Sequence, residues 1–126
     1  MPVNINGDGQ LSGVRISATT ALLGAVSTLT DSATITPDFA IANNFSVTLG
    51  GNRTLANPTN LAPGQSGVIK ISQDATGSRT LAFGSYWDFA AGTVPTLTTT
   101  ANAVDILAYY VDSSTNITAR LIGDRK

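Results

Sequence analysis

The sequence contains no cysteine and no histidine, and its eight acidic residues are all aspartate. Lack of cysteine rules out disulfides, thiolate nucleophiles and zinc–thiolate sites, so the redox compartment cannot be read from it. Lack of histidine removes the commonest general base and metal ligand near neutral pH. Charge is scarce too: 12% of the 126 residues are charged, about half the level of an ordinary soluble domain. Seven Lys and Arg against eight Asp leave a net charge of -1. Phosphate binding needs clustered cations, whereas Arg15, Arg53, Lys70, Arg79 and Arg120 are scattered and only Arg125 and Lys126 adjoin. Nucleic acid is therefore not an expected partner. No apolar run approaches the roughly 20 residues that span a bilayer. The start, Met1-Pro2-Val3-Asn4, has no basic region followed by an apolar stretch, so no secretory signal and no membrane partner are expected, and synthesis in a cytoplasm is.

What the chain does contain is hydroxyl and amide: 18 Thr, 11 Ser and 9 Asn, with 16 Ala and 12 Gly. Threonine is stiff at its first torsion and packs on a pleated surface, while Asn and Gly supply turns. An all-β fold follows, and the length suits one domain able to bury about two-thirds of its unfolded surface without staples. So few charges give little colloidal repulsion, so the exposed strands of such a chain are expected to be covered, copies of itself being one means.

Residues 1–33 differ from the rest, with isolated apolar residues (Val14, Ile16, Leu22, Leu23, Val26) among small ones and no aromatic. Side chains this small bury little area for the entropy lost in ordering them. The segment reads as an assembly arm laid on a neighbour, extended over 11–17. The competing reading is an edge strand plus a short helix at 18–26 within the same domain.

Residues 34–126 read as a small antiparallel β-sandwich or jelly-roll-like barrel, because strand patterns recur with turn residues between them. Phe45, Val47 and Leu49 alternate with Ser46 and Thr48, and Gly50-Gly51-Asn52 suggests a hairpin into Arg53-Thr54-Leu55. A second hairpin is expected from 67–73 through Asp74-Ala75-Thr76-Gly77-Ser78 into 79–83. The run 103–111 is nearly all apolar, so both of its faces should be covered. It turns at 112–115 into 116–122, where Ile117, Ala119 and Leu121 point one way and Thr118 and Arg120 the other.

Chemistry-bearing candidates are few. Asn4-Ile5-Asn6-Gly7-Asp8-Gly9 resembles the opening of a calcium loop, but the twelfth position is Arg15 where a bidentate Glu is needed, and a simple turn is expected. Asp105, inside the apolar run, needs a cation or backbone donors. A structural ion pair with Arg79 or Arg120 is expected, or a cap on the loop at 84–90. Asp88 could pair with another Asp as in a glycosidase, but eight Asp make some such pair unavoidable. Lys70 is the one base available to a serine nucleophile, no Ser-x-x-Lys occurs, and mid-strand it should face solvent or a subunit boundary. Tyr86, Trp87 and Phe89 could stack on a sugar, though a plug beneath a loop is the expected role. No cofactor, metal or catalytic residue is expected.

Three stretches carry a resemblance: Asn57-Pro58-Thr59-Asn60-Leu61-Ala62-Pro63-Gly64-Gln65-Ser66-Gly67, the run from Gln73 to Ser85, and Ala101-Asn102-Ala103-Val104-Asp105-Ile106-Leu107. They resemble a β-rich module of tailed-bacteriophage virion proteins, found in tail-fibre, baseplate-associated and capsid-decoration chains, and the opening Ile5-Asn6-Gly7-Asp8-Gly9-Gln10-Leu11-Ser12-Gly13-Val14 resembles the start of phage fibre-type or decoration chains. The resemblance brings no catalytic residues and implies a virion structural protein. The short length and the arm favour a capsid decoration (cement) protein, a homotrimer stabilising the shell against the major capsid protein. The alternative is a tail-fibre, tail-tip or baseplate component that contacts a host receptor or glycan.

Overall fold

The computed structural model describes residues 21 and 23–126. Nine strands carry the regular structure there: β1 (Val26–Thr28), β2 (Thr34–Ile35), β3 (Asn44–Leu49), β4 (Arg53–Leu55), β5 (Ser66–Gln73), β6 (Leu81–Phe83), β7 (Trp87–Asp88), β8 (Val104–Ser113) and β9 (Asn116–Ile122). The one helical element among the described residues is a 3-10 turn at Ala90–Gly92. The all-β expectation holds. A six-stranded sheet in the order β1-β3-β5-β8-β9-β7 and a three-stranded sheet in the order β2-β4-β6 supply side chains to one core.

The first six strands alternate between the two sheets, and within each sheet they run parallel. The chain therefore coils. One circuit takes it from Ser27 to Phe45 beside it, and the next from Phe45 to Ile69. On the opposite wall the partners are Thr34 and Thr54, then Thr54 and Ala82.

This arrangement replaces the two early hairpins expected from the sequence. Leu49 and Leu55 are both fully buried, on opposite walls of the same core. A hairpin would put β3 and β4 side by side in one sheet; crossing at Gly50-Gly51-Asn52 instead lets each strand bury its apolar side inward. The corner is held by Asp31, whose carboxylate accepts from Gly50 N–H at 3.0 Å and from Arg53 Nε and Nη2 at 2.8 and 3.0 Å. The second corner follows the same plan. Asp74 Oδ1 accepts from the Thr76 and Gly77 N–H groups, and Arg79 Nη2 donates to Asp74 Oδ2 at 2.7 Å. Gly77 sits at φ +73, with Thr99 O and Ala101 N where a Cβ would lie.

Among the described strands only β8 and β9 form a hairpin. β5 pairs antiparallel with β8, and β8 pairs antiparallel with β9 through the tight turn at Ser114-Thr115, with a bulge between Val111 and Ser113. The β8–β9 hairpin lies where the sequence places it. Leu107, Val111 and Ile117 are wholly buried beneath it. In β8 only one face is covered: Asp105, Leu107, Tyr109 and Val111 point inward, whereas Val104, Ile106 and Ala108 are half-buried and Tyr110 is exposed.

An aromatic cluster fills the core. Phe39 stacks on Tyr109 with ring centroids 4.7 Å apart and on Phe45 at 5.6 Å, and meets Trp87 edge-on at 6.4 Å. Such pairs add about 0.5–1.5 kcal/mol each beyond the area they bury. Tyr109 Oη donates to the Asn43 carbonyl, so its polar end is satisfied in the interior. Burial also raises its pKa above the ordinary tyrosine value, the Gln65 hydrogen bond opposing the shift.

Candidate functional site

A groove of about 510 Å³ opens beside the free end of β9, lined by Phe89, Pro95, Leu121, Thr93, Thr118 and Arg120 among others. Chain geometry creates it. β7 pairs with β9 only at Ile117 and Thr118, because after Asp88 the chain leaves the sheet. Phe89 O then accepts from Gly92 N–H at 2.9 Å, and Ala91 and Gly92 take positive φ values of 55 and 68. The loop stands away from β9, and the gap is the groove. Phe89, Pro95 and Leu121 give it apolar walls. Thr93, Thr118 and Arg120 give it hydroxyls and a cation, and Arg120 makes no ion pair among the described residues.

Phe89 stands at the groove with its ring against Phe83, centroids 4.8 Å apart. Trp87 does not reach it. Only 5% exposed, Trp87 is locked beneath the loop by its Nε1 hydrogen bond to the Ala56 carbonyl at 3.1 Å. At that depth its ring packs in the core and does not line the groove. Tyr86 is half-buried, and its backbone joins the sheet, N–H to Asn57 Oδ1 and carbonyl from Ile117 N–H, both at 2.8 Å.

The ion pair expected at Asp105 does not form. Asp105 is buried, and its two oxygens accept backbone N–H groups, Oδ2 from Thr98 and Oδ1 from Asp124, each at 2.7 Å. The carboxylate ties the segment before β8 to the segment after β9. Arg79 is taken by Asp74, five residues away, and Arg120 faces outward by the groove. These pairings explain the titration shifts. The Arg53 hydrogen bond holds Asp31 below the usual carboxylate range, the Arg79 bond does the same for Asp74, and the Asn60 amide does so for Asp38. Asp88 Oδ2 accepts from Asn116 Nδ2 at 2.9 Å.

Of the arm residues, Val14, Ile16 and Leu22 lie outside the described residues, as does the calcium-like turn at 4–9. Leu23 is 91% and Val26 69% exposed. Val26 nevertheless belongs to β1, an edge strand of the large sheet. Among the described residues no three His, Cys, Asp or Glu side chains gather as metal ligands, and no helix is long and apolar enough to cross a membrane. Sequence reasoning singled out Phe89 and Arg120 as candidates for a role beyond packing, but not Thr93, Pro95, Thr118 or Leu121. The alternation in 116–122 was the available signal, since it places Thr118 and Arg120 together on the face opposite Ile117.

No curated protein and no solved structure matches the chain. Residues 35–114 match the family described as putative phage tail fibre C-terminal domain, which is more than half of the chain, and the chain belongs to that family of phage virion modules.

Proposed function

We propose that this chain is a non-enzymatic tail component, at a fibre or tail tip, that assembles as a homo-oligomer and offers the groove beside Phe89 and Arg120 to a host surface glycan. The observation that carries the tail placement is the family match over residues 35–114. It favours the tail over the outer shell, and nothing in the fold or the family supports the capsid-decoration reading with a major capsid protein as partner. The groove suits a sugar. Phe89, Pro95 and Leu121 can pack on the apolar face of a pyranose ring while Thr93 and Thr118 meet its hydroxyls. Arg120 favours an acidic sugar, whose carboxylate it can hold in bidentate fashion. A non-catalytic role is supported by Asp105 and Asp88, the carboxylates weighed for chemistry, both of which are engaged in structural hydrogen bonds.

The test is a glycan-array screen of the full chain with Phe89→Ala and Arg120→Ala variants. Binding to acidic glycans, weakened about tenfold or more in each variant, is expected if Phe89 and Arg120 are the groove's hot spots, each worth about 2 kcal/mol or more. Uniformly absent binding, or binding indifferent to both substitutions, rules out the groove. Gold-labelled antibody on intact virions tests the placement separately, with label at the tail expected and label over the whole shell contradicting it.

A further inference from the structure

We infer that the outer face of the six-stranded sheet is the surface on which a second copy of this chain docks; this rests on the homo-oligomer reading above and assigns that contact to a place.

An antiparallel strand with one face on a core and one in water alternates apolar and polar residues. β8 does not. Its outward residues Val104, Ile106, Ala108 and Tyr110 form an unbroken apolar row, half-buried to exposed, and no other described strand packs over it. The register of the neighbouring strands extends the row sideways. Val68 of β5 lies beside Ala108, and Ile122 of β9 lies beside Ile106. Val68, Tyr110 and Ile122 are 36%, 48% and 53% exposed. The result is a contiguous apolar patch across three strands at the centre of the sheet.

Three features identify the occupant as the same chain. First, the charges on this face have both signs: Lys70 beside Ile106, and Asp112 near the end of β8. A surface that pairs with itself needs both signs, whereas a polyanion or an acidic membrane surface selects cations alone. Second, a net charge of -1 sets up almost no repulsion between copies. Third, the area suffices. With β3, whose outward Ser46 and Thr48 continue the face beside β5, four strands spaced about 4.8 Å apart and about eight residues long at about 3.4 Å per residue project roughly 500 Å² per copy. Side-chain relief brings the accessible area lost from two copies to about the 1,200 Å² of a stable interface.

The experiment is sedimentation velocity on the full chain at about 10 μM, where a micromolar or tighter contact is populated. The wild type is compared with Ile106→Arg and with Tyr110→Lys, the latter at a more exposed position where folding is less at risk. Near-ultraviolet circular dichroism of the buried Trp87 checks the fold. The expected result is an oligomeric wild type and at least a tenfold loss of association in both variants with the Trp87 signal retained. If Ile106→Arg fails to fold, Tyr110→Lys decides. A monomeric wild type overturns both this inference and the homo-oligomer reading. An oligomer that survives both substitutions overturns the inference alone, since the copies then meet elsewhere.

Discussion

Asp105 shows what a single position in the sequence can and cannot disclose. That a carboxylate within the run 103–111 must be compensated is legible from its neighbours, because an unpartnered buried charge is too costly to keep. Its partners are not legible. Backbone N–H groups of Thr98 and Asp124 satisfy it, and a backbone donor leaves no mark in residue type, whereas Arg79 and Arg120 do. The distinction can be tested, because a carboxylate offers two acceptor oxygens and an amide only one. Asp105→Asn turns an NH₂ toward an N–H that has no other partner, so it should destabilise the fold by about 1–3 kcal/mol in urea melts, and Asp105→Ala by at least as much. Asparagine matching wild-type stability would contradict the two-donor arrangement. The groove was only half visible for a related reason: Phe89 and Arg120 stand out by type, but Pro95 and Leu121 gain a role only when the loop and β9 come together.

Among the elements, most strand positions were readable, whereas strand directions outside the β8–β9 hairpin were not. The alternation of Phe45, Val47 and Leu49 marks β3 because one side of it is buried, and the same holds for β5 and β9. A Gly-Gly-Asn corner or an Asp-x-x-Gly turn looks the same whether the chain returns beside itself or crosses to a second sheet. The decision lies in contacts made one circuit away. Nor does a repeat betray the coil, since the circuit from Ser27 to Phe45 is shorter than that from Phe45 to Ile69 and no fixed period results. Gly67 marks one place where the circuits press together. A Cβ built there would lie 1.9 Å from the Asn43 carbonyl oxygen, a backbone atom that cannot rotate away. In the same place Tyr109 Oη donates to that carbonyl, so moving it also strains a buried hydrogen bond. Gly67→Ala should therefore cost at least the roughly 1–3 kcal/mol of an overpacked site. Gly64→Ala is the control for crowding, because at Gly64 nothing lies within 4 Å of a Cβ and only its φ of +93 is disturbed. Thermal midpoints of the two variants compare the effects, and a Gly67→Ala no less stable than Gly64→Ala would sink the close-approach argument.

At the scale of the whole molecule, the three stretches that resemble a phage virion module fall inside the matched residues 35–114 and the fibre-like opening at 5–14 falls before them, so the family was legible from the motifs while the place in the virion was not. Contacts run across residue 33, the boundary that the lack of aromatic residues suggests. Residues 26–28 pair with β3, Leu29 N–H donates to the Ser46 carbonyl at 2.8 Å, and Asp31 clamps the corner between β3 and β4. Deletion of 1–20 leaves all of these in place, whereas deletion of 1–33 removes them. The longer deletion should have the lower thermal midpoint at neutral pH. Part of the difference should titrate. Arg53 lowers the folded-state pKa of Asp31 from 3.8, so its contribution is present above the unfolded value, near 4, and is lost as the pH falls through the folded value. The gap between the two deletions should thus be widest above about pH 4 and narrow below it. Asp38 and Asp74 are shifted in the same direction but are kept by both proteins, and cancel. The gap should not close, because the backbone pairing of β1 with β3 carries no titrating group. Equal midpoints at neutral pH would show that the sheet begins at β2 in energetic terms, and a gap independent of pH would show that the Asp31 clamp contributes nothing beyond β1.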